Sequence, residues 1–503
     1  MVYWIIAALC LWTASAIGAE APWPTTSWSE ATPEAEGVDS QALAEALDFI
    51  VQKRLPIHSL LIVRHGTIVL DAYFYPYDGR VVHDVASATK SVTSILTGIA
   101  IDKGYLKNEN ETMASLLGGQ PDGLKERITL RDLLTMTSGL RCGSVGEAHT
   151  AEDELAEMRR HPNWIAFALT IPMRFEPGRN FAYCSVNNHF LSAMITARTG
   201  KSLESFAREN LFEPLGIRTV LWPKDPQGLN HGWGDLHLYP RDMAKLGYLC
   251  LRGGKWDGRH VVSSEWIEKS TKPYVTPFPG VGYGYSWWIN LQRQPNIFEA
   301  DGRAGQRISV IPDKDAVVVF TAGGRNSDLG LLAPFIMRAL KSESPLPLNT
   351  RASARLRRGI LAARRAPSPI HPAPVPDIFK NISGKLFKVE PNPIDFRSFS
   401  LTFGQRRTAE ISLVVGDQEW TGRAGLDGVY RFSPRGHLGL PMAVSGKWQS
   451  PTELLVDVNL VANITRLLFT FQFADGGMEV KITDATGSFH DVVARAHSVT
   501  VKP

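Results

Sequence analysis

Ser87 and Lys90 are the residues of this 503-residue chain whose types and spacing most directly suggest chemistry. If a helix begins at Ser87, the spacing of three places Lys90 on the same face, one turn later. A serine hydroxyl is a weak nucleophile until a neighbouring base takes its proton, which a lysine can do only in its neutral form. Burial and the positive end of a helix both favour that neutral form, and the first N–H groups of the helix can hold an oxyanion. The pair therefore predicts acyl transfer, although a serine N-cap followed by a surface lysine has the same pattern.

The surrounding sequence indicates the elements that would position this pair. Apolar runs at residues 59–63 and 67–74 predict a two-stranded hairpin, and a helix over 88–103 should follow, closed by Gly104. Further helices are predicted over residues 129–137, 188–198, 241–251 and 329–340, and further strands over 283–291, 308–311 and 316–321. Strands first, helices in the middle, then strands and a helix predict an α+β fold with an antiparallel sheet flanked by helices.

Several segments occur in the order typical of one known family. Residues 87–93 resemble the active-site helix of serine β-lactamases and penicillin-binding proteins. Residues 128–140, 175–183 and 239–247 resemble signatures of the class C β-lactamase-related branch. That branch contains class C β-lactamases, D-alanyl-D-alanine carboxypeptidases, esterases and 6-aminohexanoate-dimer hydrolases. The resemblance extends over residues 33–340 and implies a β-lactamase-like catalytic domain that cleaves an amide or ester through an acyl-Ser87 intermediate.

The resemblance also implies a third catalytic residue, Tyr183. In this family a Tyr-x-Asn element completes the site, and the matching residues here are Tyr183, Cys184 and Ser185. A phenol beside a lysine can relay the proton of the nucleophile and later protonate the leaving group. Ser185 would bind substrate through its hydroxyl, and Tyr-x-Ser resembles the 6-aminohexanoate-dimer hydrolases and some esterases. The alternative for Tyr183 is a packed aromatic residue whose hydroxyl is satisfied elsewhere.

The third element of the family, Lys-Thr-Gly or His-x-Gly, is replaced here by Ala300, Asp301 and Gly302. Gly302 would permit close backbone approach, so the strand can still supply a second oxyanion N–H. The missing cation argues against efficient hydrolysis of β-lactams. Arg303 either replaces that charge by holding a substrate carboxylate or lies in an exposed turn. Asp301 either pairs with Arg303 or favours an amine-bearing substrate, and Gln306 is expected at the pocket rim.

The sequence gives little indication that the protein binds a metal, a cofactor or nucleic acid. The glycine-rich loop at residues 231–235 borders the cleft in relatives, where His231 either contacts substrate or belongs to a structural loop. We expect no metal, because no His/Cys/Asp/Glu cluster has ligand spacing, and no phosphate-binding glycine loop occurs. Serine chemistry requires no cofactor. The formal net charge of +4, without a basic stripe interleaved with aromatic residues, argues against nucleic acid.

The N-terminus predicts export. Residues 1–19 are apolar, uncharged and end in small residues, which is typical of a secretory signal peptide cleaved after Ala16 or Ala19. A retained anchor is the alternative; after cleavage we expect a secreted or periplasmic protein without membrane contact. The remaining cysteines are too few for a disulfide framework, though one pair could bridge, and Cys184 is expected to be a small buried residue. They are Cys142, Cys184 and Cys250.

The C-terminal third has a different composition. Residues 341–376 are rich in proline and arginine and predict a solvated linker that includes part of a basic helix, with contact to anionic membranes as the alternative. Residues 377–503 contain short alternating runs separated by turns, which predict a small β-sandwich or barrel-like accessory domain. This region is similar to barrel-like appendages of some hydrolases of the family.

The sequence thus predicts an exported serine hydrolase of small amides or esters. Short peptides with D-residues, aminoalkanoate oligomers and simple esters are the expected substrates, with β-lactams turned over slowly as mimics. The alternative is a binding protein on the same scaffold: a penicillin-recognising sensor or pseudo-enzyme that is acylated without turnover, or a peptidoglycan protein resembling D-alanyl-D-alanine carboxypeptidases. The altered third element favours this alternative, whereas the Ser-Lys-Tyr set argues against it.

Overall fold

The computed structural model describes residues 23–117, 123–142, 151–292, 296–324, 329–404, 407–474, 477–487, 489 and 491–499. The predicted signal peptide lies outside these residues. Within the described ranges, no helix combines the length and the apolar character that a membrane span requires. The described chain forms an α+β domain followed by an all-β domain.

A nine-stranded sheet forms the centre of the first domain, in the order β1-β3-β2-β13-β12-β11-β10-β9-β8. All neighbours are antiparallel except β1 and β3. Two short ribbons, β4 with β5 and β6 with β7, lie outside this sheet. The strands are β1 (Ser29–Glu30), β2 (Ile57–Arg64), β3 (Thr67–Tyr73), β4 (His83–Asp84), β5 (His237–Leu238), β6 (Lys255–Trp256), β7 (Arg259–His260), β8 (Val275–Phe278), β9 (Val281–Tyr283), β10 (Trp288–Asn290), β11 (Ile297–Gly302), β12 (Gln306–Ile311) and β13 (Ala316–Ala322).

Helices cover both faces of this sheet. Every residue of β2 and β13 is buried, which explains why these strands are almost continuously apolar. Helices α1, α11 and α12 pack on one face, and α2, α7 and α9 lie on the other. The helices are α1 (Ser40–Lys53), α2 (Thr89–Asp102), α3 (Met113–Leu117), α4 (Leu130–Leu134), α5 (Ala151–Arg160), α6 (Trp164–Thr170), α7 (Ser185–Thr199), α8 (Leu203–Ala207), α9 (Pro240–Leu251), α10 (Ser264–Ser270), α11 (Ala333–Ala339), α12 (Thr350–Ala363) and α13 (Asp377–Ile382).

Most predicted elements of this domain are present, although several have other bounds than predicted; the helix predicted over 329–340, for example, is α11 (Ala333–Ala339). Helix α4 stops at Leu134 because Met136 adopts a positive φ of 59°. Helix α7 begins at Ser185, three residues earlier than the apolar pattern indicates. The single strand predicted over 283–291 is two strands, β9 and β10, which form an antiparallel pair. The turn between them contains Gly284 and Ser286, of which Ser286 has a φ of 62°.

The predicted linker contains a helix of the first domain. Leu356 of α12 is 4% exposed and belongs to the same core cluster as the buried face of α1. Arg355 forms an ion pair with Asp48 of α1, and the Ser353 hydroxyl donates to the Glu34 carboxylate at 3.1 Å. The expectation of a solvated linker is therefore wrong for residues 350–363. The many arginines dominate the composition of this segment, so the narrow apolar stripe that packs against α1 was not recognised.

The second domain is a β-barrel, which decides between the two predicted architectures. Its strand order is β17-β16-β15-β14-β23-β22-β21-β20-β19-β18, and a pairing of Gly425 in β17 with Ser445 in β19 closes the sheet. Aromatic side chains fill its core, with Phe379 of α13 fully buried. The strands are β14 (Leu386–Val389), β15 (Phe396–Phe403), β16 (Thr408–Val415), β17 (Gln418–Gly425), β18 (Arg431–Ser433), β19 (Met442–Ser450), β20 (Glu453–Asn459), β21 (Arg466–Ala474), β22 (Gly477–Asp484) and β23 (Val492–Ser498).

Candidate active site

Ser87 and Lys90 lie at the start of α2 and contact each other. Ser87 is part of a short 3₁₀ turn, Ala86–Ala88, that leads into the helix, and its side chain is partly exposed. The Lys90 amine is 2.8 Å from Ser87 Oγ and donates to the carbonyl of Trp233 at 2.9 Å. Lys90 is 1% exposed. The structure therefore places a buried amine directly behind an accessible hydroxyl.

The turn that carries Ser87 is held in an uncommon conformation. Ala86 has a φ of 47°, a region that residues other than glycine seldom adopt. The carboxylate of Asp84 accepts the Ala86 N–H at 2.7 Å, and the Thr89 hydroxyl donates to the Ala86 carbonyl at 2.6 Å. Such a conformation persists only where the surroundings impose it, and here two side-chain hydrogen bonds do so.

Tyr183 completes this cluster from the loop that precedes α7. Its hydroxyl is hydrogen-bonded to the Ser87 side chain, and the Lys90 amine lies 5.0 Å from the centre of its ring. Trp288 of β10 stacks on the ring with centroids 5.8 Å apart, which fixes the plane of the phenol. Burial raises the pKa of Tyr183 above its ordinary value, and the Asp301 carboxylate acts in the same direction. Tyr183 therefore remains a protonated phenol at neutral pH.

This geometry divides the proton transfers between the two residues. Because Tyr183 stays protonated, the neutral form of Lys90 is the group beside Ser87 that can accept the hydroxyl proton. The phenol can then donate a proton to the leaving group, since its hydroxyl already lies at the nucleophile. The arrangement can therefore perform nucleophilic acyl transfer.

A disulfide ties the Tyr183 loop to the segment that follows α4. Cys184 is bonded to Cys142, and the two residues are 42 positions apart in the sequence. The one bridge that the sequence left open is thus present. Cys184 is buried, as expected, and is a half-cystine. Cys250 is a free cysteine buried in α9.

Removing this disulfide should destabilise the first domain. Closing a loop of 42 residues restricts the unfolded chain and stabilises the folded state by about 4 kcal/mol in the chain-entropy estimate. We expect the variant Cys142→Ser/Cys184→Ser to lose roughly 2–4 kcal/mol of unfolding free energy in urea titrations. Cys250→Ser serves as the matched control. An unchanged urea midpoint in the double variant would contradict the assignment.

Strand β11 brings its backbone against the turn of Ser87 at Gly302. A Cβ atom on Gly302 would lie 2.5 Å from the Val85 carbonyl oxygen and 3.0 Å from Ala86 Cβ. The strand can approach this closely only with glycine at that position. The backbone after Gly302 therefore lies beside the nucleophile, where a second N–H could face an oxyanion.

Gly302→Ala should impair catalysis and also lower stability. The added methyl must push β11 away from the turn, and a displacement of about 1 Å in an active site can lower the rate ~10²-fold. We expect kcat, measured at a temperature where the variant is folded, to fall about 10- to 100-fold, and the free energy of unfolding to fall by about 1–3 kcal/mol. Gly404→Ala is the control, because a Cβ there meets no atom within 4 Å. Full activity of Gly302→Ala would exclude a role for this contact.

The remaining predicted site residues lie around β11 and α7. Asp301 pairs with Arg307 of β12 at 2.9 Å, rather than with Arg303. Arg303 is exposed in the turn between the two strands. Ser185 is the first residue of α7 and is buried.

Gln306 does not lie at a pocket rim. It is fully buried, and its amide donates to the carbonyl of Ala322 at 2.6 Å and to those of Arg303 and Ala304 at 3.2 Å each. Its side chain is therefore occupied in holding the β11–β12 turn, whose carbonyls at Arg303 and Ala304 accept its N–H groups.

The loop at residues 231–235 supports the site through its backbone. The ring of His231 stacks on Trp233 with centroids 4.7 Å apart, and its Nδ1 lies 2.7 Å from the Asp235 carboxylate. His231 is thus a structural residue, whereas the carbonyl of Trp233 receives the Lys90 amine. The sequence pointed to this loop but gave no indication of the Trp233 carbonyl or of Asp84. Both make contacts through backbone groups, which are the same in every residue and so cannot be recognised from the residue type. In the described ranges, no three His, Cys, Asp or Glu side chains are arranged to hold a metal ion.

Comparison with known proteins shows to which family the chain belongs. The sequence profile described as Beta-lactamase matches residues 39–340. The chain belongs to the β-lactamase family. The 6-aminohexanoate-dimer hydrolase of Paenarthrobacter ureafaciens is 24% identical to it over 320 residues, 58% of this chain and 79% of that protein. A D-aminopeptidase of Brucella canis is 29% identical over 121 residues, 22% of either chain.

Structural similarity to a solved protein covers both domains of this β-lactamase-family protein. The octameric penicillin-binding protein homologue from Pyrococcus abyssi matches 90% of this chain and 99% of its own, with a TM-score of 0.50 and 18% sequence identity. The predicted α+β domain with a C-terminal all-β domain is confirmed. Membership of this family makes the protein a serine hydrolase.

Proposed function

We propose that this β-lactamase-family protein hydrolyses small linear amides through an acyl-Ser87 intermediate. The observation that carries the proposal is the contact of Ser87 Oγ with the Lys90 amine at 2.8 Å and with the Tyr183 hydroxyl. Ser87 attacks the carbonyl while neutral Lys90 accepts its proton, and the phenol protonates the departing amine. The proton on Lys90 then passes to the Tyr183 oxygen, which restores the phenol and the neutral amine. Water then attacks the acyl-enzyme and releases the acid. The N–H groups of Ser87 and of the backbone after Gly302 hold the oxyanion in both steps.

The third element of the site favours linear, amine-bearing amides over β-lactams. At this position Ala300 and Asp301 stand where relatives that bind a substrate carboxylate have a cation. The Asp301 carboxylate is close enough to Tyr183 to raise the pKa of the phenol. Asp301 is also paired with Arg307, and the negative charge that it still presents attracts an ammonium group of the substrate and repels a carboxylate. The 6-aminohexanoate dimer and peptides with an N-terminal D-residue both carry such an ammonium group.

Matched substrates test this proposal. The kcat/KM values for 6-aminohexanoate dimer and for D-alanine p-nitroanilide are to be compared with those of their N-acetylated forms and of nitrocefin. We expect acetylation to lower kcat/KM about 10-fold, as for the loss of one partly screened charge contact. Faster turnover of nitrocefin than of any linear amide would contradict the substrate class. A stable acyl adduct without product would instead favour the sensor that the sequence left as an alternative.

We further propose that the protein is exported. The apolar segment 1–19 supports this, and the Cys142–Cys184 disulfide agrees with it because such bonds persist in oxidising compartments. Expression of the full chain in a Gram-negative host should place a form beginning at residue 17 or 20 in the periplasmic fraction. Recovery of the uncleaved chain in the cytoplasm alone would contradict export.

A further inference from the structure

The loop between β20 and β21 of the barrel is inserted into the first domain. Its apolar side chains at 460, 461, 462 and 464 are each at most 4% exposed. The carbonyl of Ala462 accepts the backbone N–H of Asp84 at 2.9 Å. At the start of this loop, Tyr77 donates its hydroxyl to Asn459 Oδ1 at 2.9 Å. The barrel thus pairs with the backbone three residues before the nucleophile.

Asp84 links this contact to the catalytic turn. Its N–H points to the barrel, while its carboxylate accepts the N–H of Ala86, the residue directly before Ser87. Asp84 is 2% exposed, so water does not readily replace either partner. Two consecutive hydrogen bonds therefore connect the barrel loop with the turn that carries the nucleophile.

The conformation of this turn depends on such contacts. Ala86 has a positive φ, which a residue with a Cβ keeps only when its neighbours impose it. If the Ala462 carbonyl is withdrawn, the Asp84 N–H loses its partner inside a buried region, and a buried unpaired N–H is unfavourable. Asp84 would then shift, and with it the turn that aims Ser87 Oγ.

We propose that the C-terminal barrel is a positioning element of the acyl-transfer site, with Asp84 as the positioning residue that connects loop 460–465 to the Ser87 turn. The inference rests on the proposed function, because it concerns the same nucleophile. The barrel contributes no reacting group through this loop. It acts on the rate of acylation by holding the orientation of the nucleophile.

The loop can be loosened without touching its buried apolar side chains. Asn463 Oδ1 accepts the N–H groups of Ile464 at 2.8 Å and Thr465 at 3.3 Å. These two hydrogen bonds fix the conformation of the loop tip. Asn463→Ala removes both hydrogen bonds. The matched control is Asn381→Ala, an exposed asparagine of the same barrel on α13.

The test combines three variants of the full chain in a double-mutant cycle. Asp84→Ala should lower kcat and the rate of acylation by a fluorophosphonate about 10- to 100-fold, with KM within threefold of the parent. Asn463→Ala should lower both rates about 3- to 10-fold. The double variant should be no slower than Asp84→Ala alone, since both changes break one chain of contacts. Asp84→Asn should recover most of the rate, because its amide oxygen can still accept the Ala86 N–H.

The results separate this inference from the proposed function. Unchanged rates in Asn463→Ala, or effects of the two changes that multiply, would overturn the positioning role. A KM rise without a change in kcat would do the same. If Asp84→Ala does not fold, Asn463→Ala and Asp84→Asn still decide, because the former must be slow and the latter near the parental rate. If Ser87→Ala keeps its activity, the proposed function fails; if it is inactive while the loop variants are normal, this inference alone fails.

Discussion

Ser87→Ala is expected to lower kcat at least ~10⁴-fold and to abolish covalent labelling by a fluorophosphonate. The hydroxyl is the group that the Lys90 amine contacts at 2.8 Å and that Tyr183 contacts through its phenol. Without it, these two groups have no nucleophile to activate, and only binding and the oxyanion N–H groups remain. Stopped assays with the best amide substrate measure the loss in kcat.

Intact-mass spectrometry of the labelled protein supplies the second measurement. The parent should gain one adduct, and a peptide map should place it on Ser87. The control is Ser91→Ala, which removes a buried hydroxyl one turn further along α2 that donates to the Ser286 carbonyl at 2.6 Å. This variant should lose some stability but keep the adduct. An equal adduct on Ser87→Ala would refute the nucleophile.

Lys90→Met should lower kcat about 10³-fold, with a smaller change in KM. Methionine has a similar length but cannot accept a proton, so the hydroxyl of Ser87 would have to attack without a base. Tyr183 cannot replace the amine, because burial raises the pKa of the phenol and leaves little phenolate at neutral pH. Labelling by the fluorophosphonate should slow by a similar factor, which places the effect on acylation.

The loss of a buried lysine needs its own control. Lys245→Met removes a lysine of α9 that is 5% exposed and pairs with Asp242 at 3.2 Å. Both variants should be destabilised, since each leaves a polar partner without its donor. Only Lys90→Met should lose kcat at a temperature where both are folded. A kcat for Lys90→Met within tenfold of the parent would show that another group is the base.

The contact between Ser87 and Lys90 could be predicted from sequence because it is local. Ser87 and Lys90 lie one helical turn apart, so the helix alone brings them together. Gly302 could also be assigned, since only glycine fits where a strand passes a backbone turn so closely. Gln306 could not, because a glutamine at a pocket rim and one that holds a turn look alike in sequence. Its three carbonyl partners include Ala322, which lies on the next strand.

Asp84 is a second residue whose role could not be predicted from the sequence. Its carboxylate binds a neighbouring N–H, but its importance comes from the Ala462 carbonyl, almost four hundred residues away. Backbone groups are the same in every residue, so their partners cannot be read from residue types. The same holds for the Trp233 carbonyl that receives the Lys90 amine.

By itself, the sequence determined the fold class and the contact between Ser87 and Lys90, because periodic apolar patterns and spacing within one helix encode local structure directly. The tertiary structure decided how Tyr183 is held, which charge Asp301 pairs with and that the barrel reaches the nucleophile's turn. These features depend on packing between elements distant in the chain. Spacing along the sequence carries no information about the distances between them.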